Sequence, residues 1–278
     1  MADNKSDAPS ISDDTDQAIG SYKPPSVDVL YALSGPLRNY FKPQFFGWEH
    51  VDKEKPALYV ANHAVYGITD APLFMPELYK RKGIYLRVLA DNNHFAVAGW
   101  RDFMHWLGAL PGSRENCARL MEAGAHILVF PGGGRETFKH KGEKHQIIWK
   151  QRTGFAYMAI RYKYDIVPVV SVGGDDAYTI FADSTDILQA PIGKLIARLP
   201  FFDKLKEGEY LPPVSKGLLG TFLPRPVKIY ISFGERISTA AYQGITSDEN
   251  IWHLRNTTEY VMLKNILHLL GNRKKAQS

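Results

Sequence analysis

Apolar residues along the chain fall into two patterns that alternate. Short strand-like runs occur at 57–61 (ALYVA), 84–90 (IYLRVLA), 126–131 (HILVFP), 166–172 (IVPVVSV) and 227–233 (VKIYISF). Segments of helical period lie between them. Residues 71–80 (APLFMPELYK) follow the first run, and 95–110 (FAVAGWRDFMHWLGAL) follow the second. Residues 113–124 (SRENCARLMEAG) precede the third, with Ser113 as N-cap and Gly124 as the stop. Residues 151–163 precede the fourth and place Phe155, Met158, Ala159 and Tyr162 at helical spacing. Residues 248–275 read as an amphipathic helix that ends at Gly271 and is followed by a basic tail. This alternation predicts an α/β fold: a single domain with a mostly parallel central sheet flanked by helices.

Two regions depart from the alternation. Residues 28–49 are aromatic-rich, with Arg38 and Lys42 interspersed, and residues 180–226 are apolar, proline-broken and sparsely charged. One reading is a covering helix and a long ordered insertion. The other is an interfacial surface, with aromatics at headgroup depth and cations at the rim.

Composition narrows the class. With 278 residues and 45% hydrophobic content, the chain has enough apolar surface for a sizeable core. The single cysteine, Cys117, excludes a disulfide framework within the chain and is consistent with a reducing compartment. No apolar stretch is long enough to span a bilayer, and no secretory signal is legible. A cytoplasmic protein, peripheral on a membrane, is the expectation. Residues 1–25 carry five aspartates against two lysines and read as a disordered acidic tail, so residues 26–278 form the domain. Removing the tail's −3 from the chain's net +5 leaves a body near +8. A body of that charge favours anionic membranes, nucleic acid or phosphate-bearing substrates, and charge alone does not choose among them.

Two stretches carry candidate chemistry. In VANHAVYGITDAPLF (60–74), Asp70 follows His63 after six intervening residues. On a straight helix the pair would stand about 10.5 Å apart along the axis, beyond hydrogen-bonding reach. Gly67 instead favours a loop over 62–69, with Asp70 at the start of a helix that has Pro72 in its first turn. Such a loop can curl His63 back onto the Asp70 carboxylate, leaving one ring nitrogen free as a base. The alternative is a core histidine beside an ordinary cap. In VFPGGGRETFKHKGEKHQIIWKQRTGF (129–155), a strand ends in Pro131, Gly132, Gly133 and Gly134, followed by Arg135 and Glu136. Glycines let backbone N–H groups approach an oxyanion or phosphate, and Arg135 is placed to clamp phosphate oxygens. The alternative is a glycine-rich turn beside a solvated basic loop containing Lys139, Lys141 and Lys144. GALPGSREN (108–116) supplies a further arginine, Arg114, beside a turn. No Walker loop, G-x-S-x-G elbow, G-x-G-x-x-G helix start or zinc spacing is present.

Taken in order, NHAVYGITD, GALPGSRE, FPGGGRE and IVPVVSVGGDDAY resemble the four motifs of the glycerolipid acyltransferase superfamily, across residues 57–180. FPGGGRE with IVPVVSVG, and PRPVKIYISFGERI at 224–237, are closer to the neutral-lipid branch of diacylglycerol acyltransferases of type two and phytyl ester synthases. Two departures are visible. Six residues separate His63 from Asp70 where the family pattern has four, and Gly133 replaces the motif glutamate, with Glu136 falling after Arg135. The second departure favours a less charged acceptor.

The resemblance implies a glycerolipid-acyltransferase-like fold and transfer of a fatty acyl group from acyl-CoA, or another acyl thioester, to a lipid hydroxyl. His63 would be the general base and Asp70 its orienting carboxylate. Arg114, Gly132, Gly133, Gly134, Arg135 and Glu136 would bind substrate. It implies no metal and no cofactor beyond acyl-CoA as co-substrate. The partners would be the lipid acceptor and a membrane surface, with no nucleic acid. A thioesterase or transacylase on the same scaffold, or a non-catalytic lipid-binding protein, is the rival expectation.

Overall fold

The run ALYVA becomes β2 (Ala57–Ala61), a strand buried along its whole length. The computed structural model describes residues 22–191 and 211–275, together with Ile19 and Gly193. The other strands of the main sheet are β1 (Gln44–Phe46), β3 (Arg87–Ala90), β4 (Leu110–Pro111), β5 (Ile127–Val129), β6 (Asp165–Val172) and β9 (Tyr230–Phe233). Their order is β1-β9-β6-β2-β5-β3-β4. From β6 to β4 all neighbours are parallel; β9 runs antiparallel to β6, and β1 pairs in parallel with β9. The predicted mostly parallel sheet is therefore present, with two strands reversed at one side. The runs at 84–90 and 126–131 yield only four and three laddered residues, because their pairings cover only those positions. Ile84 and Leu86 are buried in the core without joining the ladder.

Alternate β2 side chains enter opposite faces of the sheet, as the two-residue period of a strand demands. Leu58 and Val60 join one apolar cluster; Ala57, Tyr59 and Ala61 join the other. The first cluster is covered by α5 (Arg114–Glu122), α7 (Gly154–Arg161) and α9 (Asp248–Lys275). The second is covered by α3 (Ala71–Lys82), with Phe41 at the end of α2 (Gly35–Phe41). Each large apolar side chain buried this way contributes about 1.5–3 kcal/mol. Ser113 caps α5 as expected: its hydroxyl accepts from the Asn116 N–H at 3.0 Å. The long C-terminal helix does not stop at Gly271 but continues to Lys275. Gly271 lies on an open surface, where glycine weakens a helix by about 1 kcal/mol without ending it.

The aromatic segment at 28–49 is divided between α1 (Val27–Leu33), α2, β1 and a 3-10 turn at Trp48–His50. Leu30 and Phe41 are buried, while Val29 and Leu33 face solvent. Residues 180–226 contribute β7 (Thr179–Ala182) and β8 (Val214–Lys216), an antiparallel pair, and α8 (Ser184–Gln189). Part of that insertion, residues 194–210, lies outside the described residues, as does most of the expected tail. Near the end of that tail, Tyr22 packs on the fold. Its hydroxyl donates to the Trp106 carbonyl at 3.0 Å and lies 3.1 Å from the Tyr85 hydroxyl.

Candidate active site

Parallel strands release their following loops at one edge of the sheet, and that edge is where such folds gather ligand-binding groups. Here β6, β2 and β5 are adjacent. The loop after β2 carries His63, the loop after β5 carries the three glycines, and the loop after β6 carries Asp175. Motifs far apart in the chain thus become neighbours.

The extra length between His63 and Asp70 is taken up by a tight turn. Tyr66 and Gly67 both adopt positive φ, and the Gly67 N–H donates to the Ala64 carbonyl at 2.9 Å. The chain curls and brings Asp70 back beneath His63. Asp70 stands at the N-cap position of α3, yet its side chain makes no cap hydrogen bond. Its Oδ2 instead lies 3.0 Å from His63 Nδ1 and accepts the Ala64 N–H at 3.0 Å. The carboxyl is fully buried. An ionised carboxylate only accepts, so Nδ1 carries the proton and Nε2 is left with its lone pair. The imidazole stacks on Phe130, with ring centres 3.7 Å apart and planes 8° from parallel. Its side chain is 18% exposed, enough to meet a substrate from one side.

A second layer holds this loop. Asn62 bridges to β6: its amide donates to the Ser171 carbonyl at 3.0 Å and accepts the Ser171 N–H at 2.8 Å. Asp175 accepts the Val65 N–H at 2.8 Å, the His145 N–H at 2.7 Å and the Lys139 ammonium at 2.7 Å. Lys139 is fully buried, so the basic loop read as solvated has its first lysine in the interior. Lys141 and Lys144 remain at the surface, paired with Asp186 and Asp176.

The glycine turn follows β5 and opens the short helix α6 (Gly133–Thr137). Arg152 donates through Nη1 to the Pro131 carbonyl at 2.9 Å and also to the Gly132 carbonyl, which fixes the turn from one side. Arg135 and Glu136 depart from their expected roles on a substrate-facing surface. Arg135 is buried and its guanidinium donates to Glu143 Oε1 at 2.5 Å. Glu136 is fully buried beneath the turn. A Cβ on Gly132 would lie 2.0 Å from Glu136 Oε2, so the close approach requires glycine there. Helical direction turns both side chains inward, which the linear motif does not reveal. Arg114 is exposed at the same edge, where the loop after β4 begins α5, three strands from β2 in the sheet order. Its guanidinium lies 4.8 Å from the Tyr157 ring centre.

Burial pushes the Glu136 carboxyl up to about 7, with Lys139 and His63 pulling it back down. One oxygen accepts the Ile148 N–H at 3.3 Å, and the other has no hydrogen-bond partner. The native state therefore keeps this proton to a higher pH than the unfolded chain, whose glutamate titrates near 4.3. Its stabilising effect is full below that value and is lost as pH rises through about 7. The expected result is that Glu136→Gln gains on the wild type by about 2–3 kcal/mol between pH 5 and pH 8. Urea unfolding of both proteins at the two pH values measures it; an unchanged difference would remove the buried proton from the account.

His94, Asn62, Arg152, Lys139 and Asp175 escaped the motif reading. His94 accepts the Trp100 indole N–H at 3.2 Å, and burial lowers its pKa against the opposing pull of Asp91. Only the GGDDAY stretch hinted at Asp175, and nothing local marked Lys139 as interior.

Residues 42–172 match the family model described as Acyltransferase. The chain is 30% identical over 258 residues to phytyl ester synthase 1, chloroplastic, of Arabidopsis thaliana, covering 83% of this chain and 36% of that protein. It is 34% identical over 123 residues to the DGAT1/2-independent enzyme synthesizing storage lipids of Homo sapiens, covering 44% of this chain and 37% of that one. The chain spans about a third of the length of these curated relatives. Among solved structures it is similar in fold to the 1-acyl-sn-glycerophosphate (LPA) acyltransferase PlsC of Thermotoga maritima, with a TM-score of 0.55 and 15% identity over 87% of this chain and 79% of that one. Residues 42–172, which hold His63, Asp70 and the glycine turn, are a domain of the Acyltransferase family.

Proposed function

We propose that this member of the Acyltransferase family moves a fatty acyl group from acyl-CoA to the hydroxyl of a lipid acceptor. The observation that carries the reading is the buried Asp70 carboxylate 3.0 Å from His63 Nδ1, which leaves Nε2 free as a base on a side chain that is 18% exposed. His63 Nε2 takes the acceptor's hydroxyl proton as the oxygen attacks the thioester carbonyl. The tetrahedral intermediate collapses, the C–S bond breaks, and the imidazolium returns its proton to the leaving thiolate. Asp70 keeps accepting the Nδ1–H and stabilises the imidazolium. Free thiol and new ester are the products, and no covalent enzyme intermediate forms.

Backbone N–H groups of the glycine turn are the candidates for the developing oxyanion, in a site where preorganised donors have their greatest effect. The Gly133 N–H is already held by the Phe130 carbonyl at 3.0 Å, which favours its neighbours Gly132 and Gly134 for this task. Arg114, exposed at the same edge, is the candidate for coenzyme A phosphates. Arg135 and Glu136 support the turn. The reaction uses no metal and no cofactor beyond its co-substrate. Relatives named for phytyl ester synthesis and for storage lipid synthesis support a neutral lipid ester as product. Such an acceptor resides in a membrane, so a membrane surface is the natural partner. No helix among the described residues is long and apolar enough to cross one.

The test is incubation of the purified chain with a labelled long-chain acyl-CoA and lipid alcohols in vesicles, with thiol and ester followed by mass spectrometry. New ester in step with free thiol is the expected outcome. Thiol without ester would replace this reading with a thioesterase.

A further inference from the structure

The loop at 217–223 displays its largest apolar side chains to solvent. Leu219 is 93% exposed, Phe222 75% and Leu223 63%. Isolated exposed leucines are ordinary; three large apolar groups on one short built loop are not. The loop is held shut by its own backbone. The Gly217 N–H donates to the Thr221 carbonyl at 2.6 Å, and the Leu218 N–H donates to the Leu223 carbonyl at 2.6 Å. A Cβ at Gly217 would lie 1.7 Å from the Leu223 carbonyl oxygen, so closure requires glycine. Leu219 sits at the tip with φ of 51°, a conformation unfavourable for leucine. The fold thus holds a strained apolar residue away from its own core.

Charge identifies what covers it. Residues 211–233 contain Lys216, Arg225 and Lys228 and no aspartate or glutamate. Lys216 and Lys228 are exposed. Phe181 on β7, 64% exposed, extends the apolar surface, and the Lys216 ammonium lies 4.8 Å from its ring centre. An apolar tip on a segment whose charged residues are all cationic matches the interface of an anionic bilayer, where the tip enters the acyl boundary and the lysines meet headgroup phosphates.

The hairpin that bears this loop is tied to the catalytic loop. The Tyr66 hydroxyl donates to the Pro213 carbonyl at 2.6 Å and lies 2.8 Å from the Ser215 hydroxyl. Tyr66 is three residues from His63. We propose that the loop at 217–223 docks the chain on an anionic lipid bilayer and presents the His63 edge of the sheet to it. The orientation rests on the proposed lipid acyl transfer; the docking itself does not.

The experiment is co-sedimentation of the full chain with vesicles of phosphatidylcholine, with and without phosphatidylglycerol, in the absence of any acyl donor. The wild type is expected to bind the anionic vesicles. Leu219→Asn with Phe222→Ser is expected to weaken binding roughly 100-fold. Lys216→Gln is expected to weaken it about fivefold on anionic vesicles and not on neutral ones. Neither variant should unfold below the wild-type temperature, since the changed side chains are exposed and asparagine accepts the positive φ at 219. Three results would each overturn the proposal: no binding by wild type, binding unchanged in the double variant, or loss only on Trp100→Ala with Phe103→Ala. The last would move docking to the apolar stripe of α4 (Trp100–Trp106). Concentration-dependent self-association that the double variant abolishes, without vesicle binding, would show that a second copy covers the loop. Because no turnover is read, a docking protein that transfers no acyl group would refute the proposed function and leave this inference standing.

Discussion

His63→Ala is expected to lower turnover about 10²–10⁴-fold, the usual range for losing a positioned general base. The physical ground is that the ring's geometry is set from several directions. Asp70 fixes Nδ1, Phe130 fixes the ring plane, and Asp175 fixes the backbone two residues on through the Val65 N–H. Alanine removes the group proposed to accept the hydroxyl proton and leaves the loop's backbone bonds in place. Affinity for acyl-CoA should therefore change little while kcat falls. Asp70→Asn should lower kcat too, because a neutral amide no longer stabilises an imidazolium at His63, and an amide N–H turned toward Nδ1 would also face the Ala64 N–H. Single-turnover measurements beside thermal unfolding separate these effects from loss of fold. Unchanged ester formation in His63→Ala would end the general-base reading.

Asp175→Ala is expected to destabilise the protein by about 3–5 kcal/mol, the range for removing one partner of a buried ion pair. The Lys139 ammonium is fully buried and would lose its carboxylate at 2.7 Å. The Val65 and His145 N–H groups would lose their acceptor in the same change. Desolvated donors without partners cost more than the hydrogen bonds contributed, which sets the sign. Urea unfolding gives the magnitude directly. Adding Lys139→Met to Asp175→Ala should recover part of the loss by removing the uncompensated charge. A loss below about 1 kcal/mol would mean that water or another acceptor replaces the carboxylate. Activity should fall with stability here, because the same carboxylate holds the loop that carries His63.

Much of the fold was legible because burial leaves a linear trace. Strands buried on both faces must be apolar throughout, so ALYVA and IVPVVSV read directly as interior strands. Ser113 and Gly124 read as helix punctuation because capping is local chemistry. The His63 and Asp70 stretch read as a loop able to curl, since Gly67 permits the positive φ that a straight helix forbids. The inward turn of Arg135 and Glu136 left no such trace. A basic residue in a basic, glycine-rich segment looks solvated unless its partner is known, and Glu143 lies eight residues on. Lys139 is the extreme case: its partner Asp175 is 36 residues away and enters from the loop after β6.

By itself, the sequence determined the alternating α/β pattern, five of the seven strands of the central sheet, and the loop that offers His63 and Asp70 to each other. These follow from local backbone preference and from the periodicity of burial. Only the tertiary structure decided that Asp70 serves His63 and not the cap of α3, that Arg135 and Glu136 support the turn from within, and that Lys139 and Asp175 lock the loop. Those outcomes depend on which strands lie side by side. Strand order brings together groups far apart in the chain, and a charge can be buried only where such a partner arrives.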